Sequence, residues 1–178
     1  MTPHPVDRNS GYAGQADATT LSVNVFPFEH RNAEHAKNIE MIVTSWGNAF
    51  WNIASVHACL AHPSSCAYLA LQDGTCVGLL LVRFVGSTCE ILYVYVLEEF
   101  RRRGASRALL QDLVKRCVAR NTEEIFLDVR ASNGPAQELY RRLGFERVAL
   151  RKSYYADGED GQVFRLGLDR MHAKGPQE

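Results

Sequence analysis

The stretch Glu90-Ile-Leu-Tyr-Val-Tyr-Val-Leu-Glu-Glu-Phe-Arg-Arg-Arg-Gly-Ala-Ser-Arg-Ala-Leu-Leu110 decides the fold of this chain. Its apolar first third is typical of a strand, a short basic turn follows, and a long helix is predicted from Gly104. A helix start offers free backbone N–H groups to an anion, and a glycine lets the anion approach without a Cβ in the way. Positive charge around the turn comes from Arg101, Arg102, Arg103 and Arg107. The segment therefore indicates a phosphate site, and a solvated, Arg-rich helix start without a ligand is the alternative.

Composition narrows the possible partners. The 178 residues carry 20 Lys and Arg against 20 Asp and Glu, so the formal net charge of +0 removes the general argument for nucleic-acid or anionic-membrane binding. The basic turn is neither a Walker A loop nor a G-x-G-x-x-G loop, which disfavours those two nucleotide-binding classes. The longest apolar stretch, Val77 to Val85, contains Arg83 and is too short to cross a bilayer. We therefore expect no nucleic-acid partner and no membrane partner.

The cysteines and histidines do not predict a metal site. The five cysteines are odd in number, lie far apart and form no C-x-x-C, so they are interpreted as reduced core residues. The six histidines form no cluster with the spacing of a tetrahedral site, so no metal is expected. The first 20 residues lack a basic start followed by an apolar stretch, which argues against a signal peptide and predicts a cytoplasmic protein.

The organisation of the chain is predicted from periodicity and breakers. Residues 1–20 are interpreted as a disordered extension, residues 21–170 as one domain and residues 171–178 as a flexible tail. The predicted strands are Leu21–Phe28, Cys66–Leu71, Thr75–Phe84, Glu90–Val96, Glu124–Val129, Phe145–Ser153 and Val163–Leu168. The predicted helices are Arg31–Trp46, Asn48–Leu60, one from Gly104, and Pro135–Arg142. The order β-α-α-β-β-β-α-β-α-β-β predicts an α/β domain with a mixed central sheet flanked by helices.

A second motif follows the predicted strand Glu124–Val129. It reads Leu127-Asp-Val-Arg-Ala-Ser-Asn-Gly-Pro-Ala-Gln-Glu-Leu-Tyr-Arg-Arg-Leu-Gly-Phe145 and is followed by Arg151-Lys-Ser-Tyr-Tyr155. Asn133 is placed to cap the helix that begins at Pro135, and Gly144 suits its C-terminal stop.

These two motifs resemble the GCN5-related N-acetyltransferase (GNAT) superfamily. Arg101-x-x-Gly104-x-Ser106 resembles its acetyl-CoA pyrophosphate loop, Gln/Arg-x-x-Gly-x-Gly/Ala, and the second motif resembles ribosomal-protein-alanine N-acetyltransferases of the RimI type. The similarity covers Val77 to Leu168, while the earlier residues match in element order and in Trp46 with an aromatic residue at Trp51. The resemblance implies a GNAT fold in which splayed parallel strands, Glu90–Val96 and Glu124–Val129, open a cleft.

The resemblance also implies the roles of individual residues. Acetyl-CoA would be the co-substrate, with its pyrophosphate on the amides from Arg103 to Arg107 and its pantetheine along the backbone of Val94 and Val96. Tyr140 would protonate the departing CoA thiolate, and Asp128 would occupy the position of the general base. The implied acetyl-CoA-binding set is Val94, Val96, Arg101, Arg102, Arg103, Gly104, Ala105, Ser106, Arg107, Asn133, Ala136 and Tyr140. The implied acceptor-binding set is Trp46, Tyr93, Tyr154 and Tyr155.

Several of these residues have a structural alternative. Tyr140 could be the amphipathic end of a packed helix, and Asn133 could serve as a helix cap alone. Asp128 could be an exposed residue on one face of its strand, or an ion-pair partner of Arg130 or Arg147. The two tyrosines at 154 and 155 could be strand-forming core residues, and the tryptophans at 46 and 51 could be core or groove wall.

The sequence departs from the family pattern at four positions. Asp128 stands where a glutamate is usual, which withdraws the carboxylate by about 1.5 Å and favours a water relay over direct proton abstraction. Ser106 replaces a glycine or alanine, and Tyr93 and Glu98 stand where an asparagine and a proline are common. A peptide α-amine has a pKa near 8 against about 10.4 for lysine, so a weak or indirect base favours an N-terminal acceptor.

The sequence therefore predicts an enzyme that moves acetyl from acetyl-CoA to a protein N-terminus, with the N-terminal alanine of small-subunit ribosomal protein eighteen as the expected acceptor. One alternative keeps acetyl-CoA and changes the acceptor to a free small amine, such as a polyamine, an amino acid or an antibiotic. Another is a catalytically silent acyl-CoA-binding module, motivated by Asp128 and Ser106.

Overall fold

A computed structural model describes residues 23–29, 32–45 and 52–168. The strands are β1 Val23–Pro27, β2 Ser65–Gln72, β3 Thr75–Val85, β4 Thr88–Val96, β5 Glu124–Arg130, β6 Glu146–Arg151 and β7 Gly161–Gly167. The helices are α1 Ala33–Ser45, α2 Ile53–Leu60, α3 Ala105–Ala119 and α4 Gly134–Arg142, with a short 3-10 turn at Glu98–Phe100. The predicted order of strands and helices is confirmed, and the 3-10 turn is an addition. The predicted extension, the predicted tail and Trp46 lie outside the described residues.

One seven-stranded sheet runs through the domain in the order β1-β2-β3-β4-β5-β7-β6. Every neighbouring pair is antiparallel except β4 and β5, which are parallel. Helix α3 packs on one face through the predicted stripe of Leu109, Leu113 and Cys117, all buried. Helices α1 and α2 cover the other face of β2 and β3, where Ile39, Ile42 and Val56 are fully buried among strand leucines. The prediction of a mixed sheet flanked by helices is confirmed.

The two parallel strands separate after four residue pairs. Pairing between β4 and β5 runs from Thr88 opposite Glu124 to Ile91 opposite Leu127 and then ends. In the ladder with β3, Leu81 lies opposite Tyr93 and Val82 opposite Ile91, so Leu92 is an extra residue in β4. Such a bulge bends its strand and increases the local twist. Beyond Leu92, β4 stays with β3 while β5 stays with β7, and the predicted splayed cleft opens between them.

The bulge also changes which side chains face which core. Ile91 packs in the core under α3, whereas Leu92, Tyr93 and Tyr95 pack on the face of α1 and α2. Val94 then returns to the α3 side, because each residue after the bulge has moved by one position in the alternation.

Helix α4 starts and stops where its sequence predicts. The Asn133 side chain accepts a hydrogen bond from the Ala136 amide at 3.2 Å, and Pro135 lies in the first turn. Gly144 has φ 89°, and the next amide, Phe145 N–H, donates to the Tyr140 carbonyl at 3.0 Å. This stop drives Phe145 into the core, so β6 begins one residue later than predicted.

One structural alternative for the second motif is wrong, namely that Tyr154 and Tyr155 are strand-forming core residues. Strand β6 ends at Arg151, and Ser153 has φ 48°, so the chain turns out of the sheet before Tyr154 and Tyr155. The two tyrosines therefore lie in the β6–β7 loop and not in a strand core.

No helix in the described part of the chain is long and apolar enough to span a membrane, and these residues contain no group of three or more His, Cys, Asp or Glu suited to a metal ion.

Candidate active site

The start of α3 forms an anion site beside the cleft. Gly104 has φ 92°, and a Cβ there would meet nothing within 4 Å, so open space lies over the turn. No side chain caps the N-terminus of α3. The first backbone hydrogen bond of the helix is donated by the Ala108 amide to the Gly104 carbonyl. Among the described residues, the amides from Arg103 to Arg107 have no hydrogen-bond acceptor. Free donors at the positive end of a helix dipole suit a phosphate group.

The arginines of this turn are arranged around the free amides. Arg102 has φ 62°, and the side chains of Arg102, Arg103 and Arg107 are exposed. Arg101 differs from them, because its Nε donates to the Val96 carbonyl at 3.2 Å and its guanidinium lies 3.6 Å from Glu98. Arg101 therefore ties the turn to the end of β4, and the other three leave positive charge facing solvent.

The backbone edge of β4 faces the cleft beyond the bulge. The Leu97 amide donates to the Val77 carbonyl of β3 at 2.9 Å. Because alternate residues of an antiparallel strand direct their polar groups to opposite sides, Val94 and Val96 direct theirs away from β3 and toward the cleft. The Val96 carbonyl is the one that Arg101 reaches. This edge can therefore pair with an extended, amide-bearing molecule in place of the departed β5.

Tyr140 is a buried phenol at the end of α4. Its side chain is 5% exposed, and its ring packs against Phe145 at 5.8 Å and Phe164 at 6.0 Å between centroids. Burial, with a smaller contribution from Tyr155, raises the pKa of Tyr140 from 10.0 to about 12. None of the hydrogen bonds within the described residues uses its hydroxyl. The residue is both a packed helix end and a neutral phenol with an uncommitted proton.

Asp128 lies on β5 next to the point where the parallel strands separate. Its side chain is 19% exposed, its Oδ1 lies 3.4 Å from Arg151 Nε, and its Oδ2 accepts a hydrogen bond from the Tyr154 hydroxyl at 3.4 Å. The buried Oδ1 has the charge of Arg151 nearby but accepts no hydrogen bond from the residues described. The carboxylate is therefore ionically paired and still has a lone pair available.

Neither Arg130 nor Arg147, the two ion-pair partners considered for Asp128, pairs with it, and Arg151 does. Asp128 faces Val163 in the β5–β7 ladder, and Arg151 faces Gly161 in the β6–β7 ladder, which places both on the same face of the sheet. Arg147 faces Phe164, whose side chain lies in the core on the other face. Arg130 instead pairs with two carboxylates of the β6–β7 loop.

A groove of about 320 Å³ runs from Asp128 along the sheet face opposite α3. Its lining residues are Val85, Thr88, Glu90, Phe126, Leu127, Asp128, Arg151 and Val163. Glu90 and Arg151 are functional candidates to which the sequence analysis assigned no role, although both lie in the quoted stretches. The signal for Glu90 was present, because a charged residue between buried Cys89 and Ile91 must point to the less covered face of the strand.

The predicted residues thus fall into two groups. The anion loop, the edge of β4, the cap at Asn133 and Tyr140 form the group predicted for acetyl-CoA, and Tyr140 packs in the core on the α3 face of the sheet. Asp128 and the tyrosines at 154 and 155 lie on the groove side. Tyr93 stacks on Tyr95 at 6.5 Å on the face of α1 and α2, and Tyr95 donates to the carbonyl of Ser45, the residue before Trp46.

Comparison with known proteins matches this geometry. The profile of the acetyltransferase (GNAT) family matches residues 30–145. An N-alpha-acetyltransferase of Saccharolobus solfataricus is 38% identical over 114 residues, covering 57% of this chain and 68% of the relative. The [ribosomal protein bS18]-alanine N-acetyltransferase of Escherichia coli K12 is 32% identical over 100 residues, covering 54% and 68%. A Sulfurisphaera tokodaii N-alpha-acetyltransferase is 48% identical over 80 residues, covering 44% of this chain, and this chain spans only about half of its length (48%).

The solved structures show the same fold. The crystal structure of the ribosomal-protein-S18-alanine N-acetyltransferase from Escherichia coli superposes with a TM-score of 0.73 at 23% identity, covering 82% of this chain and 94% of that one. Arabidopsis thaliana NAA60 in complex with acetyl-CoA superposes with a TM-score of 0.69 at 19% identity, covering 83% and 99%.

Proposed function

This chain belongs to the GNAT family of acetyltransferases, and from that premise we propose that it transfers acetyl from acetyl-CoA to the α-amine of a protein N-terminus. The observation that carries the proposal is the row of partnerless amides from Arg103 to Arg107 beside the open edge of β4. A diphosphate followed by an extended amide chain fits these two features in sequence.

The residues on the cofactor side fit acetyl-CoA. The amides of Ala105, Ser106 and Arg107 would hold pyrophosphate oxygens, and the open space over Gly104 admits them. The backbone of Val94 and Val96 would pair with the pantetheine amides, and Asn133 would contact the same arm while it caps α4. When bound, acetyl-CoA supplies an acetyl thioester whose carbonyl carbon an amine can attack.

The remaining residues manage protons. As the new amide bond forms and the carbon–sulfur bond breaks, the Tyr140 hydroxyl would deliver its proton to the leaving sulfur. Its raised pKa keeps the phenol protonated well above neutral pH, so the proton is available for this step. Asp128 would take the proton lost by the amine through a water molecule, since the shorter side chain is also engaged by Arg151. No covalent enzyme intermediate is needed.

The acceptor is proposed from the chemistry of that base. A water-relayed aspartate suits an amine that is partly neutral near pH 7, which a peptide α-amine is and a lysine amine is not. The relatives named for N-alpha-acetylation and for acetylation of ribosomal protein bS18 support this class. Within it we propose the N-terminal alanine of small-subunit ribosomal protein eighteen as the acceptor, which places the reaction in the cytoplasm.

Mass spectrometry of two synthetic peptides tests the proposal. One begins Ala-Arg-Tyr with a free amino terminus, and the other is blocked there and carries an internal lysine. With acetyl-CoA present, we expect acetyl on the free terminus alone. Acetyl on a polyamine or amino acid instead would assign a small-amine acceptor. Binding of acetyl-CoA without acetylation of any of these amines would indicate a catalytically silent acyl-CoA-binding module and would refute the proposed acetyltransferase activity.

A further inference from the structure

We infer that Arg130 is a positioning residue that locks the β6–β7 loop to the end of β5 and thereby holds Tyr154 and Tyr155 at the acceptor side of the cleft. The inference rests on the proposed function, and it assigns a role to a residue outside the predicted catalytic and binding sets. Arg130 reaches the reacting groups only through other side chains.

Arg130 and its ion pairs join three segments of the chain: the end of β5, the β6–β7 loop and the start of α4. Its Nη1 donates to Glu159 Oε2 at 2.6 Å and to Asp157 Oδ2 at 2.8 Å, both in the β6–β7 loop. The other oxygen of Glu159 accepts the Ser132 amide at 2.8 Å, just before α4. The Glu159 carboxylate therefore joins the loop to the end of β5 and to the entrance of α4. We call Arg130, Asp157 and Glu159 the loop clamp.

Backbone bonds continue the clamp into the loop. The Ala131 amide donates to the Asp160 carbonyl at 3.0 Å, and the Asp160 side chain accepts the Ser153 amide at 2.8 Å. The Tyr155 amide donates to the Glu159 carbonyl at 3.0 Å. The loop between the two outer strands is thus fastened at both sides of the tyrosine pair.

The clamp also determines where the tyrosine rings lie. The Arg130 guanidinium carbon lies 4.0 Å from the centroid of the Tyr155 ring, a cation–π contact. Tyr155 meets Tyr154 edge to face at 5.2 Å, and the Tyr154 hydroxyl reaches Asp128. The Arg151 guanidinium carbon lies 5.0 Å from the centroid of the Tyr154 ring, which is a further cation–π contact. Arg130 is therefore connected to the proposed base through two tyrosine rings in edge-to-face contact.

The clamp also reaches the proposed acid. Burial is the larger cause of the raised pKa of Tyr140, and Tyr155 contributes to it. Burial is likewise the larger cause of the raised pKa of Tyr155, and the negative charge of Asp128 contributes to it. Tyr155 therefore acts on the proposed acid only electrostatically, and the geometric contact is the one between Arg130 and the face of the Tyr155 ring. Loss of the clamp releases the acceptor wall without touching the anion loop.

The chain offers a matched control for this arrangement. Arg165 of β7 and Glu124 of β5 form an ion pair at 3.2 Å, at the opposite end of β5 from Arg130. The two arginines have similar side-chain exposure, 35% for Arg130 and 43% for Arg165. A general loss of stability from breaking an ion pair of β5 would appear in both variants, whereas loss of loop position would appear only in the Arg130 variant.

The test is steady-state acetylation of the Ala-Arg-Tyr peptide by Arg130→Gln, Glu159→Gln and Arg165→Gln. We expect Arg130→Gln and Glu159→Gln each to raise the acceptor KM about tenfold, because misplaced positioning groups cost binding of the acceptor. The Kd for acetyl-CoA, measured by calorimetry, should change less than about twofold, since the anion loop is intact. Arg165→Gln should change neither constant. The double variant Arg130→Gln with Glu159→Gln should have the same acceptor KM as Arg130→Gln alone, because each substitution already breaks the same ion pair.

Unchanged acceptor KM in Arg130→Gln, with an active wild type, would overturn the inference and leave the proposed function in place. An inactive wild type would contradict the proposed function, and amide hydrogen exchange then decides the inference by itself. Faster exchange at Ser153 and Tyr155 in Arg130→Gln than in Arg165→Gln would support the clamp, whereas equal exchange would refute it. Glu159→Gln serves as the second variant if Arg130→Gln does not fold.

Discussion

At the scale of single residues, Tyr140 separates packing from chemistry. Its ring is enclosed by Phe145 and Phe164, while its hydroxyl has no hydrogen-bond partner within the described residues. Tyr140→Phe keeps the ring and removes only the proton donor, so we expect kcat to fall about a hundredfold. The Kd for acetyl-CoA should stay within about twofold of wild type, because the cofactor contacts are retained. Stopped-assay kinetics and calorimetry measure the two quantities, and a wild-type kcat would remove Tyr140 from the mechanism.

The raised pKa of Tyr140 predicts the alkaline pH profile. A general acid works while it is protonated, and an ordinary tyrosine would lose its proton around pH 10. With a pKa of about 12, Tyr140 stays protonated through that range. We therefore expect kcat at saturating substrates to stay level between about pH 9 and about pH 11. A decline centred at the ordinary value, present in wild type and absent in Tyr140→Phe, would contradict the burial effect.

Asp128 is expected to matter most when the acceptor amine is protonated. Below a pKa near 8 most of a peptide α-amine carries a proton, and a base must remove it before attack. Asp128→Asn should therefore lower kcat/KM more at about pH 6.5 than at about pH 9. The measurement is the kcat/KM profile of the Ala-Arg-Tyr peptide for both proteins. Parallel profiles would show that Asp128 serves only as the ion-pair partner of Arg151.

At the scale of elements, the start of α3 depends on a left-handed glycine. Gly104 has φ 92°, and a Cβ there would strain the backbone without meeting a neighbour. Gly86 has φ 57°, also has open space, and lies in the β3–β4 turn, at the opposite end of β4 from the α3 turn. Gly104→Ala and Gly86→Ala should each cost about 1 kcal/mol of unfolding free energy, because alanine disfavours a positive φ.

Only the first of these variants should weaken acetyl-CoA binding, because only its turn carries the free amides. Chemical denaturation measures the stability of both proteins, and calorimetry measures the Kd. Equal loss of affinity in the two variants, or none in Gly104→Ala, would remove the α3 turn from the cofactor site.

Element boundaries could be predicted where the signals are local. The Asn133 cap and Pro135 mark the start of α4, and Gly144 marks its end. Each signal lies within two residues of the helix end that the structure shows. The predicted strands Phe145–Ser153 and Val163–Leu168 already leave Tyr154 and Tyr155 in a loop, although both have strong strand propensity. The contacts that hold this loop could not be predicted from local signals. The position of the two tyrosines is decided by Arg130, a residue on a strand more than 20 positions earlier in the sequence.

At the scale of the whole molecule, a balanced net charge conceals two unlike surfaces. The exposed arginines of the α3 turn face the side proposed for the anionic cofactor, while Glu90 and Asp128 face the groove with only Arg151 among the lining residues to offset them. The separation suits a negatively charged donor on one side of the cleft and a positively charged amine on the other. Composition alone could not show it, because the sums over the chain cancel.

The sequence by itself determined the order of strands and helices, the anion loop and the family resemblance, because alternation, helical spacing, caps and glycine turns act between residues a few positions apart. Only the tertiary structure decided the rest. The bulge at Leu92 and the separation of β4 from β5 depend on pairing with a third strand. The pairing of Asp128 with Arg151, the place of Glu90 in the groove and the loop clamp depend on register between distant segments, which shifts every side chain to the other face when it changes by one residue.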